Sequence, residues 1–314
     1  MIALPACLRS FDLASNSDAT PCYLIYISNS FSSKTLGTQT YCRSLIFLIA
    51  LLATAALLIP AKQSHGQLLA YDGFDLPIVG EPVQGSTGGF GFDGPWQLGG
   101  FNATRSNNYR VGNESLSFPG LSTSGNSVTT GVNSGIAGLT RSFSQPLGTP
   151  GTVQYISFLL RPEGITDPRS GFFGLLLEQT NNTEIFVGGV ARSDNFVLEN
   201  RGGAQTVETN TPVISGLTQL LVLRSEFTSG SESFSLYVDP TPGLPEPTTP
   251  DAFRTANIPV VQGVTIYSNA AFSFDEFRLG ETFEDVLPVP EPSAALAVGF
   301  SMIGLLFRRR RVEQ

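Results

Sequence analysis

Between residues 68 and 288 the apolar residues fall in short runs of Val, Ile, Leu, Phe and Tyr, cut by Gly, Asn, Ser and Pro. No stretch there sustains a capped 3.6-residue repeat, so strands rather than helices must bury the core. Alternation is plain in Thr152-Val153-Gln154-Tyr155-Ile156-Ser157-Phe158-Leu159-Leu160. Further strands are predicted over 172–177, 184–190, 195–199, 217–227, 233–239, 261–267 and 271–279, all rich in residues that suit a pleated surface. Asp239 to Pro250 is a stiff proline-rich loop between two of them. Gly73 to Gly100 reads as a long surface loop or a set of short edge strands. So many strands in one stretch of about 220 residues predict an all-β domain, two antiparallel sheets packed face to face.

Charge narrows the partners. From Leu68 to Pro288 there are 22 Asp plus Glu, 10 Arg and no Lys, so the net charge is 10 − 22 = −12. Phosphate backbones and anionic lipid repel such a surface, which argues against nucleic-acid binding. Cys7, Cys22 and Cys42 precede this region, and so does the only histidine, His65. Zinc or copper sites built on His or Cys are therefore excluded there, as are Ser-His-Asp and Cys-His nucleophiles. A domain of this length buries enough apolar surface without disulfides.

Two uncharged apolar runs bracket the domain. Residues 44–59 follow Arg43 and precede Ser64-His65-Gly66, a small-x-small site, so residues 1–66 read as an extension plus a secretory signal peptide. The other reading is an uncleaved N-terminal anchor. The long leader is accounted for if translation starts nearer Arg43. The second run, Ala294 to Phe307, follows Val289-Pro290-Glu291-Pro292-Ser293 and precedes Arg308, Arg309, Arg310 and Arg311. As a helix it spans about 21 Å, short of the ~30 Å hydrocarbon core. The arginines hold that end on the cytoplasmic side. The prolines keep the preceding segment extended and accessible.

Residues 289–314, with their motif, short apolar run and arginines in that order, resemble the PEP-CTERM sorting signal of Gram-negative and related bacteria. In that family an exosortase recognises the Pro-Glu-Pro motif. The resemblance implies recognition through Pro290, Glu291 and Pro292, with Arg308 to Arg311 as the basic stop. It implies an exported precursor held in the inner membrane by its C-terminal helix, then processed and delivered to the cell surface or extracellular matrix. An ordinary C-terminal anchor is the alternative. Pro245-Glu246-Pro247 repeats the tripeptide without apolar run or arginines, and reads as a loop.

Within the domain, 67–288, Leu69-Ala70-Tyr71-Asp72-Gly73-Phe74-Asp75 opens the chain and Phe274-Asp275-Glu276-Phe277-Arg278-Leu279-Gly280 closes it. Together they look like the concanavalin A-like lectin/glucanase jelly roll of the laminin-G-like sort. The resemblance implies that first and last strands pair. It also implies a structural Ca²⁺ held by Asp275 with Asp72 or Asp75; Ca²⁺ takes six to eight oxygens. The other reading of Asp275 is a hydrogen bond or an ion pair with an arginine. Regular alternation sets Phe274 and Glu276 on one side, and Asp275, Phe277 and Leu279 on the other.

The glucanases of that fold carry Glu-x-Asp-x-x-Glu on one strand, and this chain has no such motif. Glu163 with Asp167, and Glu281 with Glu284 and Asp285, read as solvated loop charge. Trp96, the single tryptophan, is either a stacking face for sugar or a core residue. The expectation is therefore a non-catalytic lectin-like or structural module, with an extracellular polysaccharide and an exosortase-type enzyme as partners. The alternative is an unusual glycan hydrolase. A concave cleft with two facing carboxylates would favour the hydrolase, and a filled face the module.

Overall fold

The computed structural model describes residues 68–290, except 101, 106–107, 132–134, 165–170, 179–183, 192 and 202–204. The signal-like segment, and the sorting tail from Glu291 through Arg311, lie outside the described residues. In chain order the strands are β1 (Leu68–Asp72), β2 (Phe92–Leu98), β3 (Tyr109–Val111), β4 (Val128–Thr130), β5 (Ala137–Leu147), β6 (Val153–Pro162), β7 (Phe173–Glu178) and β8 (Ile185–Gly189). They continue with β9 (Asn195–Asn200), β10 (Gln205–Pro212), β11 (Gln219–Glu226), β12 (Glu232–Val238), β13 (Ala252–Ala256), β14 (Val261–Ser268) and β15 (Phe272–Gly280).

They form two antiparallel sheets. One has eight strands, in the order β13-β12-β11-β6-β15-β4-β3, with β1 added on β15; the other has seven, in the order β10-β9-β8-β7-β14-β5-β2. The chain passes repeatedly from one sheet to the other, the wiring of a jelly-roll sandwich. The first and last strands pair as the resemblance implied, Asp72 opposite Phe277 and Leu68 opposite Gly280. β15 is the hub of its sheet. β6 runs along one edge, and β4 and β1 share the other.

The inter-sheet core takes Ile156, Phe158 and Leu160 from β6, Leu175 and Leu177 from β7, and Val264 and Ile266 from β14. Phe158 stacks on Phe274 at 5.2 Å. The alternate residues are buried too. Tyr155, Leu159, Leu220, Val222 and Tyr237 pack outward under Leu116, Leu121, Phe283, Val286 and Leu287. Leu176, Phe186, Val197 and Tyr267 form a third cluster on the outer face of the seven-stranded sheet. Central strands buried on both faces read as continuous apolar runs, as in Gly174-Leu175-Leu176-Leu177.

β15 departs from regular alternation. Asp275 faces Leu159 and Arg278 faces Ser157, so three steps on β15 match two on β6. The extra residue is a β-bulge, with Glu276 at φ 54°. Phe274, Phe277 and Leu279 therefore all enter the inter-sheet core. Asp275 turns outward with Leu159. This corrects the alternation expected above, which a strand without a bulge would have kept.

β5 escapes sequence patterning because its inward position 141 is an arginine. β10 escapes because it is a polar edge strand. The glycine-rich stretch yields β2, the edge of the seven-stranded sheet. There Gly89 and Gly91, at φ 72° and 82°, cross β1 so closely that a Cβ would meet Tyr71 O at 2.0 Å and Leu69 O at 2.1 Å. Tyr109 of β3 ties the sheets together. Its buried hydroxyl lies 3.1 Å from Ala137 O, 3.0 Å from Ile266 O and 3.2 Å from Ser268 Oγ. Replacing it (Tyr109→Phe) leaves those carbonyls short of a donor and should cost about 1–3 kcal/mol. Urea unfolding should show a lower midpoint at unchanged slope; an unchanged midpoint would deny the tyrosine this role.

Candidate functional site

The predicted acidic residues sit on opposite faces of the eight-stranded sheet. Asp72 ends β1 and points between the sheets. Its Oδ2 accepts from Trp96 Nε1 at 2.9 Å and from Arg141 Nη1 at 2.8 Å, and its Oδ1 from the Phe74 amide at 2.9 Å. Arg141, on β5 of the other sheet, also donates to Gly94 O and Gly88 O and lies over the Phe92 ring at 4.4 Å. Burial raises the Asp72 carboxyl and lowers the Arg141 guanidinium, against the indole, the amide and the mutual charge that hold them ionised. Trp96 is 0 % exposed and packs on Phe74 and Phe92. This corrects the sugar-stacking expectation for Trp96. The indole is a core residue whose single N–H donor is spent on Asp72, and it offers no face to a ligand.

Asp275 lies under the segment around Ser115. Its Oδ2 accepts from Ser115 Oγ at 2.8 Å and the Leu116 amide at 2.7 Å, and its Oδ1 from the Glu276 amide at 2.7 Å. Among the described residues no arginine forms a salt bridge with it. The neighbouring Glu276 takes the cation instead, bonding Arg278 and the Ser124 amide, while Arg278 donates to Ser122 O at 2.5 Å. Arg278 lies over the Tyr71 ring at 5.6 Å, and the Tyr71 hydroxyl meets Ser124 Oγ at 2.9 Å. Burial, with the charge of Glu276, pushes Asp275 up to about 8.

Asp72 and Asp275 therefore do not come together, which corrects the expected shared calcium site. One hydroxyl and two backbone amides donate to Asp275, and donors of this kind already occupy both carboxylate oxygens. Among the described residues no three His, Cys, Asp or Glu side chains group as a metal cluster. Asp75, the alternative to Asp72 as calcium ligand, is exposed. Sequence reasoning missed Arg141 and Arg278 as partners. The signal for Arg278 was its position two residues after Glu276 on one strand.

The outer face of the seven-stranded sheet holds a second set. Arg201 lies over three rings, 4.9 Å from Phe172, 4.6 Å from Phe186 and 4.9 Å from Tyr267. Its Nε stands 3.9 Å from Glu199 Oε1. Glu178 Oε1, at the end of β7, accepts from Thr140 Oγ1 at 3.1 Å and from Thr265 Oγ1. Glu184 stands one step beyond the Leu177–Ile185 pair, so it neighbours Glu178 across the hairpin. Burial, then the charge of Glu178, raises the Glu184 carboxyl. Leu176, Phe186, Val197 and Tyr267 fill the centre of this face and are almost wholly buried.

No protein-family model matches the chain, and no curated protein matches it. Solved structures similar to it include the T. cruzi calreticulin globular domain, at 11 % identity over 70 % of this chain and 90 % of that one, TM-score 0.38. An endo-1,3-beta-glucanase from Streptomyces sioyaensis matches at 11 % identity over 70 % and 98 %, TM-score 0.43. The carbohydrate-binding module CBM66 from Bacillus subtilis matches at 12 % identity over 55 % and 95 %, TM-score 0.32. The fold stands on the strand pairing itself.

Asp275 makes stability depend on pH. The folded chain keeps a proton that the unfolded chain releases near 3.8. Its contribution is full below that value and is lost as pH rises through about 8. With chelator present, the wild-type Tm should fall by about 5 °C or more from pH 5 to 8. Asp275→Asn should flatten that decline, and the difference isolates this group from Asp72, Glu184 and Glu276. Parallel profiles would refute it. A calcium-dependent rise in Tm that Asp275→Asn abolishes would put a cation at this carboxyl after all.

Proposed function

We propose that the chain is a non-catalytic, glycan-binding β-sandwich, exported and displayed at the cell surface or in the extracellular matrix. The observation that carries this reading is the outer face of the seven-stranded sheet, whose centre is apolar and buried, with Leu176, Phe186, Val197 and Tyr267 there rather than carboxylates. Two buried ion pairs support it. Asp72 and Arg141, and Glu276 and Arg278, are spent on each other. The charge of −12 over 68–288 disfavours phosphate and anionic lipid and suits neutral extracellular polysaccharide. Export and delivery rest on the tail's resemblance to an exosortase substrate, with Pro290, Glu291 and Pro292 as the recognised motif and Arg308 to Arg311 as the stop.

Two measurements test the two halves. Purified chain on a glycan array, with calcium and with chelator, should bind a defined set of sugars; silence in both conditions removes the lectin half. Glu291→Ala in the native host should leave an unprocessed, membrane-held precursor. Normal processing of that variant removes the sorting half.

One observation favours a second reading, a glycan hydrolase. Glu178 and Glu184 are cross-strand neighbours in unlike surroundings, Glu178 held by two threonine hydroxyls and Glu184 raised by burial. Paired carboxyls set apart in this way suit a nucleophile or base and an acid. On that reading the chain releases reducing ends from β-glucans, and Glu184→Gln lowers the rate by about a hundredfold or more. No release from any glycan bound on the array dismisses it.

A further inference from the structure

The outer face of the eight-stranded sheet is divided. Its β6 side is roofed by the apolar segment around Phe283 to Leu287. Its β11–β13 side is open, and there the strand registers align a row of residues. Phe253 faces Ser235, Ser235 faces Arg224, and Arg224 faces Tyr155. The loop between β12 and β13 stands beside this row and borders an open, shallow hollow of about 590 Å³. Pro247 and Pro250 wall it.

Glu246 reaches into the hollow from that loop, and it is the centre of the internal Pro-Glu-Pro tripeptide. Its flanking prolines restrict the backbone. Two tyrosine hydroxyls grip its carboxylate, Tyr155 Oη at 2.7 Å from Oε2 and Tyr237 Oη at 2.6 Å from Oε1. Burial first, and Glu246 with it, raises both phenols, Tyr155 to about 12, so both remain donors. Arg224 Nε stands 3.7 Å from Glu246 Oε1, too long for a direct hydrogen bond. Its Nη1 is held by Glu226 at 3.0 Å. Phe253 is 52 % exposed at the rim.

We propose that this hollow binds one unit of a neutral glycan. The reading rests on the glycan-binding function proposed above and gives it a place. A sugar hydroxyl both donates and accepts, so one hydroxyl can bridge the gap between Arg224 Nε and Glu246. The apolar C–H face of the ring lies on Phe253. Ser235, in the floor of the row, lines the hollow and takes a further hydroxyl. An acidic sugar is disfavoured because Glu226 and Glu246 flank the single arginine. The pre-set geometry matters, because the tyrosines and prolines hold Glu246 in place before any ligand arrives.

Titration calorimetry on the purified chain, with neutral oligosaccharides picked from the array, tests the assignment. Phe253→Ala and Arg224→Gln should each weaken binding about tenfold or more. Phe90→Ala, which removes a ring 51 % exposed elsewhere, should leave it unchanged. Since Phe253 is a rim residue, its variant should keep the wild-type Tm, which separates lost binding from lost folding. If both variants bind neutral sugars like wild type, the hollow is the wrong place while the glycan reading stands. Binding of acidic sugars alone overturns the neutral ligand and likewise leaves the broader reading intact. No sugar bound by wild type removes both.

Discussion

The bulge at Asp275–Glu276 in β15 is the constraint on which the rest of the sandwich turns. β15 is the last strand, yet it occupies the middle of its sheet, with β6 on one edge and β4 and β1 on the other. One extra residue lets Phe274 and Phe277, three apart, both enter the core, where they meet Phe158 and Phe143. Glu276 takes the left-handed conformation this requires, a cost a side chain bears only when its surroundings hold it. Its carboxylate is fixed by the Ser124 amide and Arg278.

The same geometry explains where the acidic residues went. Burying a charge costs several kcal/mol unless it is paired and hydrogen-bonded. Asp72 meets that cost with Arg141 from the opposite sheet and with the Trp96 indole, which fixes how the two sheets sit on each other. Glu276 meets it with Arg278. Asp275, which makes no salt bridge among the described residues, is held by one hydroxyl and two amides and favours its protonated form. Asp72 and Asp275, which a sequence reading offers as metal ligands, thus act as internal fasteners. The proposed glycan site lies instead on an outer face, at the Arg224–Glu246 hollow.

Much of the architecture was legible. The eight predicted strands correspond to β6, β7, β8, β9, β11, β12, β14 and β15, because β-branched and aromatic runs between turn residues have few other uses. The proline-rich loop does join β12 to β13, and the first strand does pair with the last. β5 was hidden because Arg141 stands where an apolar residue belongs. β3, β4 and β13 were hidden because three to five residues carry too little pattern. The site was far less legible. Asp72, Trp96 and Asp275 were singled out, and each proved to be inside, with partners more than 20 residues away for Trp96 and Arg141.

The sequence by itself determined that this domain is all-β, acidic, free of lysine, histidine and cysteine, and bracketed by apolar runs with a motif resembling a sorting signal at its end. Those properties follow from composition and local periodicity, which need no knowledge of what touches what. Only the tertiary structure decided which face each carboxylate turns to, which arginine it meets, and that the internal Pro-Glu-Pro carries a glutamate gripped by two tyrosines. The physical reason is that a single bulge reverses the sense of alternation beyond it, and that ion pairs form between residues the chain brings together only when both sheets close.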